Sequence, residues 1–281
     1  PTVDRTADFL RKVLPARLAY AITRYKNILQ TILIFQMAQR FPDFVKKAVL
    51  KEAQNALGPD IDVEKHFSPS YKPWDQRFCA APDGDFFTPL REGRASIATD
   101  QIDRITETGI QLKSGEFLEA DLIIPATGLN LQLMGGILLN VDGHSVDPPD
   151  HVVYRGMMVS DVPNMAMAFG YTNASWTLKI DLTCERVCRT LRYLDRIGAD
   201  YAVPVADPDM PREPLKLLDS GYFQRARESL PKQGPKTPWQ VHMNYMADML
   251  AIRFGRIDDG AMQFRKAASV AKNTPVLEAA E

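Results

Sequence analysis

Asp121-Leu-Ile-Ile-Pro-Ala-Thr-Gly-Leu-Asn130 and Asp161-Val-Pro-Asn-Met-Ala-Met-Ala-Phe-Gly-Tyr-Thr-Asn-Ala-Ser-Trp176 are the stretches on which the reading of this chain turns. Each is an apolar run that ends in glycine and small polar residues. Leu122–Ala126 is apolar on both faces, as a strand buried between two helical layers must be. Met165–Phe169 reads as a second strand, and the polar cluster after Gly170 leads into a long helix. Glycine has no Cβ, so a strand that ends on it lets backbone amides approach a large ligand closely. The start of the following helix adds free N–H groups with partial positive charge. Thr172 or Asn173 is expected to cap that helix.

The rest of the pattern surrounds these stretches with both helix and strand. From Ala7 to about Leu57 apolar residues recur at three- and four-residue steps (Leu18, Ile22, Tyr25, Leu29, Ile32, Leu33), which predicts helices. Pro15 and Pro42 suit first turns, and Gly58-Pro59 ends the set. Residues 69–89 form a connector rich in proline, aspartate and aromatics. Short strands are expected at Ala95–Thr99, Ile102–Thr106, Gly109–Leu112 and Phe117-Leu118. Asp142-Gly143 signals a hairpin after Leu138–Val141, and His151–Val159 reads as a further strand. Trp176, Ile180, Cys184, Val187, Leu191 and Leu194 trace one helical stripe that Gly198 closes, which makes Cys184 a small core residue. Residues 199–238 read as irregular, and a last amphipathic helix is expected from Trp239 to about Arg253.

Composition narrows the function classes. A formal net charge of -1 over 281 residues argues against a nucleic-acid partner, which needs a concentrated basic excess. Three cysteines, with no Cys-x-x-Cys pair, fit a reducing, cytoplasmic setting. His66, His144, His151 and His242 are scattered, so no metal site is expected. No apolar run approaches the roughly twenty residues of a bilayer span. The helices of residues 7–57 carry Lys12, Arg17, Arg24, Lys26, Arg40, Lys46 and Lys47. Those residues admit two readings, a weak peripheral contact with anionic lipid and an ordinary solvated face.

Asp121–Asn130, Asp161–Leu182 and Tyr71-Lys-Pro-Trp-Asp-Gln-Arg-Phe78 together resemble the flavin-containing monooxygenases. The resemblance is to their Baeyer–Villiger type, in the actinobacterial group that includes thioamide-prodrug activators. Ala126-Thr127-Gly128-Leu129 matches the family's link between two dinucleotide-binding domains. Asp161, Pro163, Asn164 and Gly170 match its second flavin segment, and similarity runs on through Pro231-Lys-Gln-Gly234.

The resemblance implies an FAD- and NADPH-dependent monooxygenase acting with O2 on a ketone, thioether or thioamide. It places Thr127, Gly128, Leu129, Gly170, Tyr171, Asn173 and Ser175 against flavin or the adjoining nicotinamide. Arg77 falls where Baeyer–Villiger enzymes keep an essential arginine. A permanently charged guanidinium there would steady the anionic C4a-peroxyflavin. Without the resemblance, Arg77 reads as an exposed loop residue paired with Asp75.

The family's glycine-rich loops, which secure the pyrophosphates of both cofactors, do not occur in the sequence. The expected fold is therefore α/β, an incomplete two-dinucleotide-binding, Rossmann-like flavoprotein arrangement. In it, residues 1–70 form a helical insertion and 71–125 the return half of the NADP-binding domain. Residues 126–281 form the C-terminal part of the FAD-binding domain with a helical extension. Such a chain alone should hold FAD or NADPH weakly. Two other functions fit the same residues: a flavoprotein reductase that inserts no oxygen, and a non-catalytic chain or interaction module.

Overall fold

The computed structural model of the protein describes residues 4–79 and 81–267, so the end of the expected C-terminal extension, 268–281, lies outside the described residues. It is a mixed helix and strand structure in two compact units. The first comprises residues 1–129 with 218–222, and the second 130–217 with 223–281.

The first unit opens with α1 (Arg5–Val13), α2 (Ala16–Arg40) and α3 (Pro42–Leu57), as the periodicity predicts. Asp4 caps α1 by accepting from the Ala7 N–H at 3.1 Å. The Lys26 ammonium donates to both Asp4 oxygens at 2.8 and 2.7 Å, tying α1 to α2. That hydrogen bond, with the one from Ala7, holds the Asp4 carboxyl down to about 2. Pro42 occupies the first turn of α3, where its missing N–H costs nothing, and Gly58 ends the helix with φ 87°. Leu50, Ala53 and Leu57 line one face of α3. They pack with Val63 of α4 (Val63–Phe67) and Leu90 of α5 (Phe87–Arg91). Then β1 (Ile102–Thr106), β2 (Gly109–Leu112) and β3 (Phe117–Glu119) form an antiparallel meander at the predicted positions. Ala95–Thr99 is not a strand. Its first amide turns back to the Pro89 carbonyl, and Ile97 packs on the α3 cluster instead of pairing.

The second unit holds paired strands and one long helix. β4 (Leu139–Val141) and β5 (His144–Val146) form the expected hairpin. Asp142 and Gly143 turn it with φ 52° and 87°, the sign a two-residue hairpin turn requires. His151–Val159 is not one strand but a tight hairpin of β6 (Val153–Tyr154) and β7 (Met158–Val159). After α6 (Trp176–Ile197), β8 (Tyr201–Pro204) pairs with β11 (Met262–Arg265), and β9 (Glu213–Pro214) with β10 (Lys232–Gln233). The short α7 (Gly221–Ala226) lies between β9 and β10 in sequence, so residues 199–238 are more ordered than their proline content suggests.

Gly198 closes α6 in the left-handed conformation, φ 64° and ψ 32°, as expected. The buried face of α6 differs from the predicted one. Trp176, Cys184 and Leu191 are exposed, while Lys179, Leu182, Thr183, Arg186 and Leu194 are buried. Cys184 is thus not a core residue: Lys179 and Arg186 take inner positions beside Leu182, and of the predicted stripe only Leu194 is fully buried. The expected terminal helix also starts late. Asn244 accepts from the N–H groups of Met246 and Ala247, which fixes the start of α8 (Tyr245–Met249), and a π turn, Leu250–Phe254, follows. No described helix is long and apolar enough to cross a membrane.

Candidate functional site

The Asp121–Asn130 stretch is not a strand. Leu122 is 77% exposed and Ile124 79%, the reverse of the doubly buried strand its pattern predicts. A strand exists only when neighbouring strands take up its N–H and C=O groups. No described residue forms a backbone ladder with this stretch. Thr127, Gly128 and Leu129 are all exposed at its end, with Gly128 at φ 114°.

Gly170, Tyr171, Asn173 and Ser175 form the second group. Met165–Phe169 makes no ladder either; its main anchor is the Met167 N–H, which donates to the Met157 carbonyl at 2.7 Å. Ser175, not Thr172 or Asn173, is the residue flanking α6 at its N-terminus, and no side chain caps the helix. Asn173 is used elsewhere, its amide donating to the Met243 carbonyl at 2.9 Å. Its Oδ1 is buried and accepts nothing from the described residues.

Gly170 has a packing reason of its own. A Cβ there would stand 2.4 Å from Trp176 Cγ and 2.6 Å from Trp176 Cα, so the turn closes on the first residue of α6. Gly170→Ala is therefore expected to cost about 1–3 kcal/mol. Urea denaturation would check this; an unchanged midpoint would mean that the turn yields freely.

A buried ionic network, which the motifs did not foretell, holds this turn. The Tyr171 hydroxyl donates to Asp248 Oδ2 at 2.7 Å, and the Lys179 ammonium donates to the same oxygen at 2.8 Å and to the Arg155 carbonyl at 3.1 Å. Burial, then the Asp248 charge, pushes the Tyr171 phenol far up, so it stays a neutral donor. Burial draws the Lys179 ammonium down, against the pull of Asp248. Beyond it, Arg155 and Tyr154 both donate to Asp259 Oδ2, at 2.7 and 2.8 Å. Burial raises the Asp259 carboxyl, but these hydrogen bonds outweigh it and leave the group below its ordinary range. Arg186 donates to Tyr154 Oη and to the carbonyls of Gly255 and Arg256. Lys179 and Arg186, seven residues apart on the inner face of α6, were the available signal.

Arg77 belongs to the first unit. It is exposed, and no described residue hydrogen-bonds its guanidinium. The expected pairing with Asp75 does not form, since Asp75 accepts from the Lys72 N–H instead, at 3.1 Å. Arg77 lines a cavity of about 1070 Å3 walled by α2, α3 and the 67–81 connector. Arg77 and Thr127–Leu129 thus fall in one unit, and Gly170–Ser175 in the other. Among the described residues, no cluster of His, Cys, Asp and Glu could hold a metal ion.

Within the second unit, an uncapped helix start and, two residues before it, a buried amide oxygen without a donor are groups that can meet a hydrogen-bonding ligand. No family model matches the chain. The chain is 48% identical over 268 residues to the "Probable FAD-binding monooxygenase AlmA" of Acinetobacter baylyi, covering 95% of this chain and 54% of that protein. It is 46% identical to the "FAD-containing monooxygenase EthA" of Mycolicibacterium smegmatis over 267 residues, 95% and 54% of the two chains. The same figure, 46% over 268 residues, holds for EthA of Mycobacterium tuberculosis, with 95% and 55% covered. The chain spans about half the length of these relatives. Over that half, the chain is a homologue of proteins named as FAD-binding or FAD-containing monooxygenases.

Proposed function

We propose that this sequence supplies the second half of an FAD- and NADPH-dependent monooxygenase of the Baeyer–Villiger type. The observation that carries the reading is the Asp121–Asn130 stretch. Its apolar core, Leu122–Ala126, is largely exposed and in no backbone ladder with the described residues, in a chain 46–48% identical to proteins named for FAD. In the complete fold, Leu122–Ala126 would be a central strand of a two-dinucleotide-binding arrangement, its ladder bonds made by residues outside this sequence. Residues 1–70 would be the helical insertion, 71–125 the return half of the NADP-binding domain, and 126–281 the end of the FAD-binding domain.

Flavin, when bound, supplies electron transfer from NADPH and activation of O2. The chain's own residues do the rest. Thr127, Gly128 and Leu129 present backbone to one part of the flavin. Gly170, Tyr171, Asn173 and Ser175 present the start of α6, where N–H groups favour negative charge. Asn173 Oδ1 takes a hydrogen bond from a ligand N–H. Arg77 sets a permanent positive charge where negative charge develops during oxygen transfer. Ketones, thioethers and thioamides are the substrates this chemistry suits, in a cytoplasmic enzyme.

The exposed apolar residues Phe9, Tyr20, Leu29 and Leu33 support a peripheral contact of the helical insertion with anionic lipid, because basic side chains surround them. The test of the main reading is the ratio of oxygenated product to NADPH consumed, in a protein of full family length carrying this sequence. A ratio near one is expected. Hydrogen peroxide formed in step with NADPH, without product, would instead establish a reductase.

A further inference from the structure

The cavity beside Arg77 has a chemical character of its own. Its walls are hydrocarbon: Ile34, Met37, Phe44, Val49, Trp74 and Phe78 face it. Phe44 and Phe78 are exposed, so the apolar surface is open and not consumed by the unit's own core. Trp74 sits at φ 69°, a conformation that costs a bulky residue energy and that persists where surrounding structure holds it. There it stacks on Phe78 with centroids 4.9 Å apart and meets Phe35 edge-on at 6.5 Å. The charged lining is one-sided. Lys46, Lys65 and Arg77 stand against a single carboxylate, Glu52. Lys46 is tethered through its donation to the Pro69 carbonyl at 3.0 Å. Lys65 and Arg77 are exposed, and their side chains have no acidic partner among the described residues.

We propose that this cavity binds a single-chain anionic amphiphile, a long-chain carboxylate, with its tail against Trp74 and Phe44 and its head at Lys65 and Arg77. Apolar walls with few donors cannot orient a polar molecule, but they take a hydrocarbon chain of any conformation. The volume, about 1070 Å3, is at the upper end for small-molecule sites and admits a chain of a dozen carbons. Unpaired cations at the solvent-facing edge select the head, since Lys and Arg bind carboxylates through charge-assisted hydrogen bonds. The site lies wholly within the first unit and shares Arg77 with the oxygenase reading, but binding there needs no flavin, so the titration below is decided without oxygenase activity.

Calorimetric titration of the chain as it stands, with monomeric decanoate and dodecanoate, tests the proposal. One saturable site is expected, tightening by about fourfold for each added methylene. Dodecanol should bind about tenfold more weakly, and dodecyltrimethylammonium weaker still. Lys65→Glu, an exposed change that leaves the core alone, should weaken dodecanoate about tenfold and dodecanol not at all. Equal affinity for all three head groups, or no effect of Lys65→Glu, would overturn the proposal in favour of unspecific adhesion. Absence of monomer binding, with uptake only on vesicles of anionic phospholipid, would overturn it in favour of a membrane-facing surface.

Discussion

Replacing Arg77 by alanine, in a protein of full family length carrying this sequence, is expected to lower oxygen transfer about 10²–10³-fold, the usual loss when one preorganised donor to a developing anion is removed. Reduction of the flavin by NADPH should stay largely intact, because the proposed role of Arg77 is to meet the negative charge that develops after O2 has reacted. The structure makes the substitution a clean one. The side chain is exposed, and no described residue hydrogen-bonds its guanidinium, so its loss strands no buried partner. Stopped-flow measurement of flavin bleaching, with product analysis, separates the two steps. Undiminished product formation by the variant would remove Arg77 from the reaction. Arg77→Lys keeps the charge but loses the planar fork, so partial recovery would mark charge as the larger part of the effect.

Asp248→Ala should give the largest change in stability. Asp248 Oδ2 accepts from both Tyr171 and Lys179, and all three are buried. Truncating it leaves the Lys179 ammonium with only the Arg155 carbonyl to satisfy it, far from water. Removing one partner of a buried pair costs about 3–5 kcal/mol, much of it the unpaired charge that remains. Chemical denaturation of the second unit would read that loss. Adding Lys179→Met to Asp248→Ala should return part of it, since the stranded cation is then gone. A loss below about 1 kcal/mol, the range of an exposed ion pair, would mean that water reaches the site. Tyr171 follows Gly170 directly, so the same variant should also loosen the segment proposed to meet flavin.

How far the sequence could be read depended on how local the cause was. Helices α1 to α3, the meander of β1 to β3 and the Asp142-Gly143 hairpin follow from near neighbours, and all appear where periodicity and turn chemistry put them. Leu122–Ala126 fails as a strand for the opposite reason. Its composition speaks of burial, but burial needs partners, and no described residue supplies them. The inner face of α6 misled because charged side chains usually face water. Lys179 and Arg186 turn inward only because Asp248 and Asp259 meet them, from some seventy residues away. Asn173 looked like a helix cap, yet the Met243 carbonyl, equally distant in sequence, claims its amide. The family resemblance, by contrast, was legible without any structure, and relatives at 46–48% identity bear it out.

In the proposed function, two stretches of backbone, 121–130 and 168–176, each meet flavin. Hydrogen–deuterium exchange, with and without FAD, in a protein of full family length carrying this sequence reads that contact directly. Slowed exchange in both stretches on FAD addition is the predicted result. FAD bound at one equivalent, with both stretches exchanging as fast as before, would contradict it.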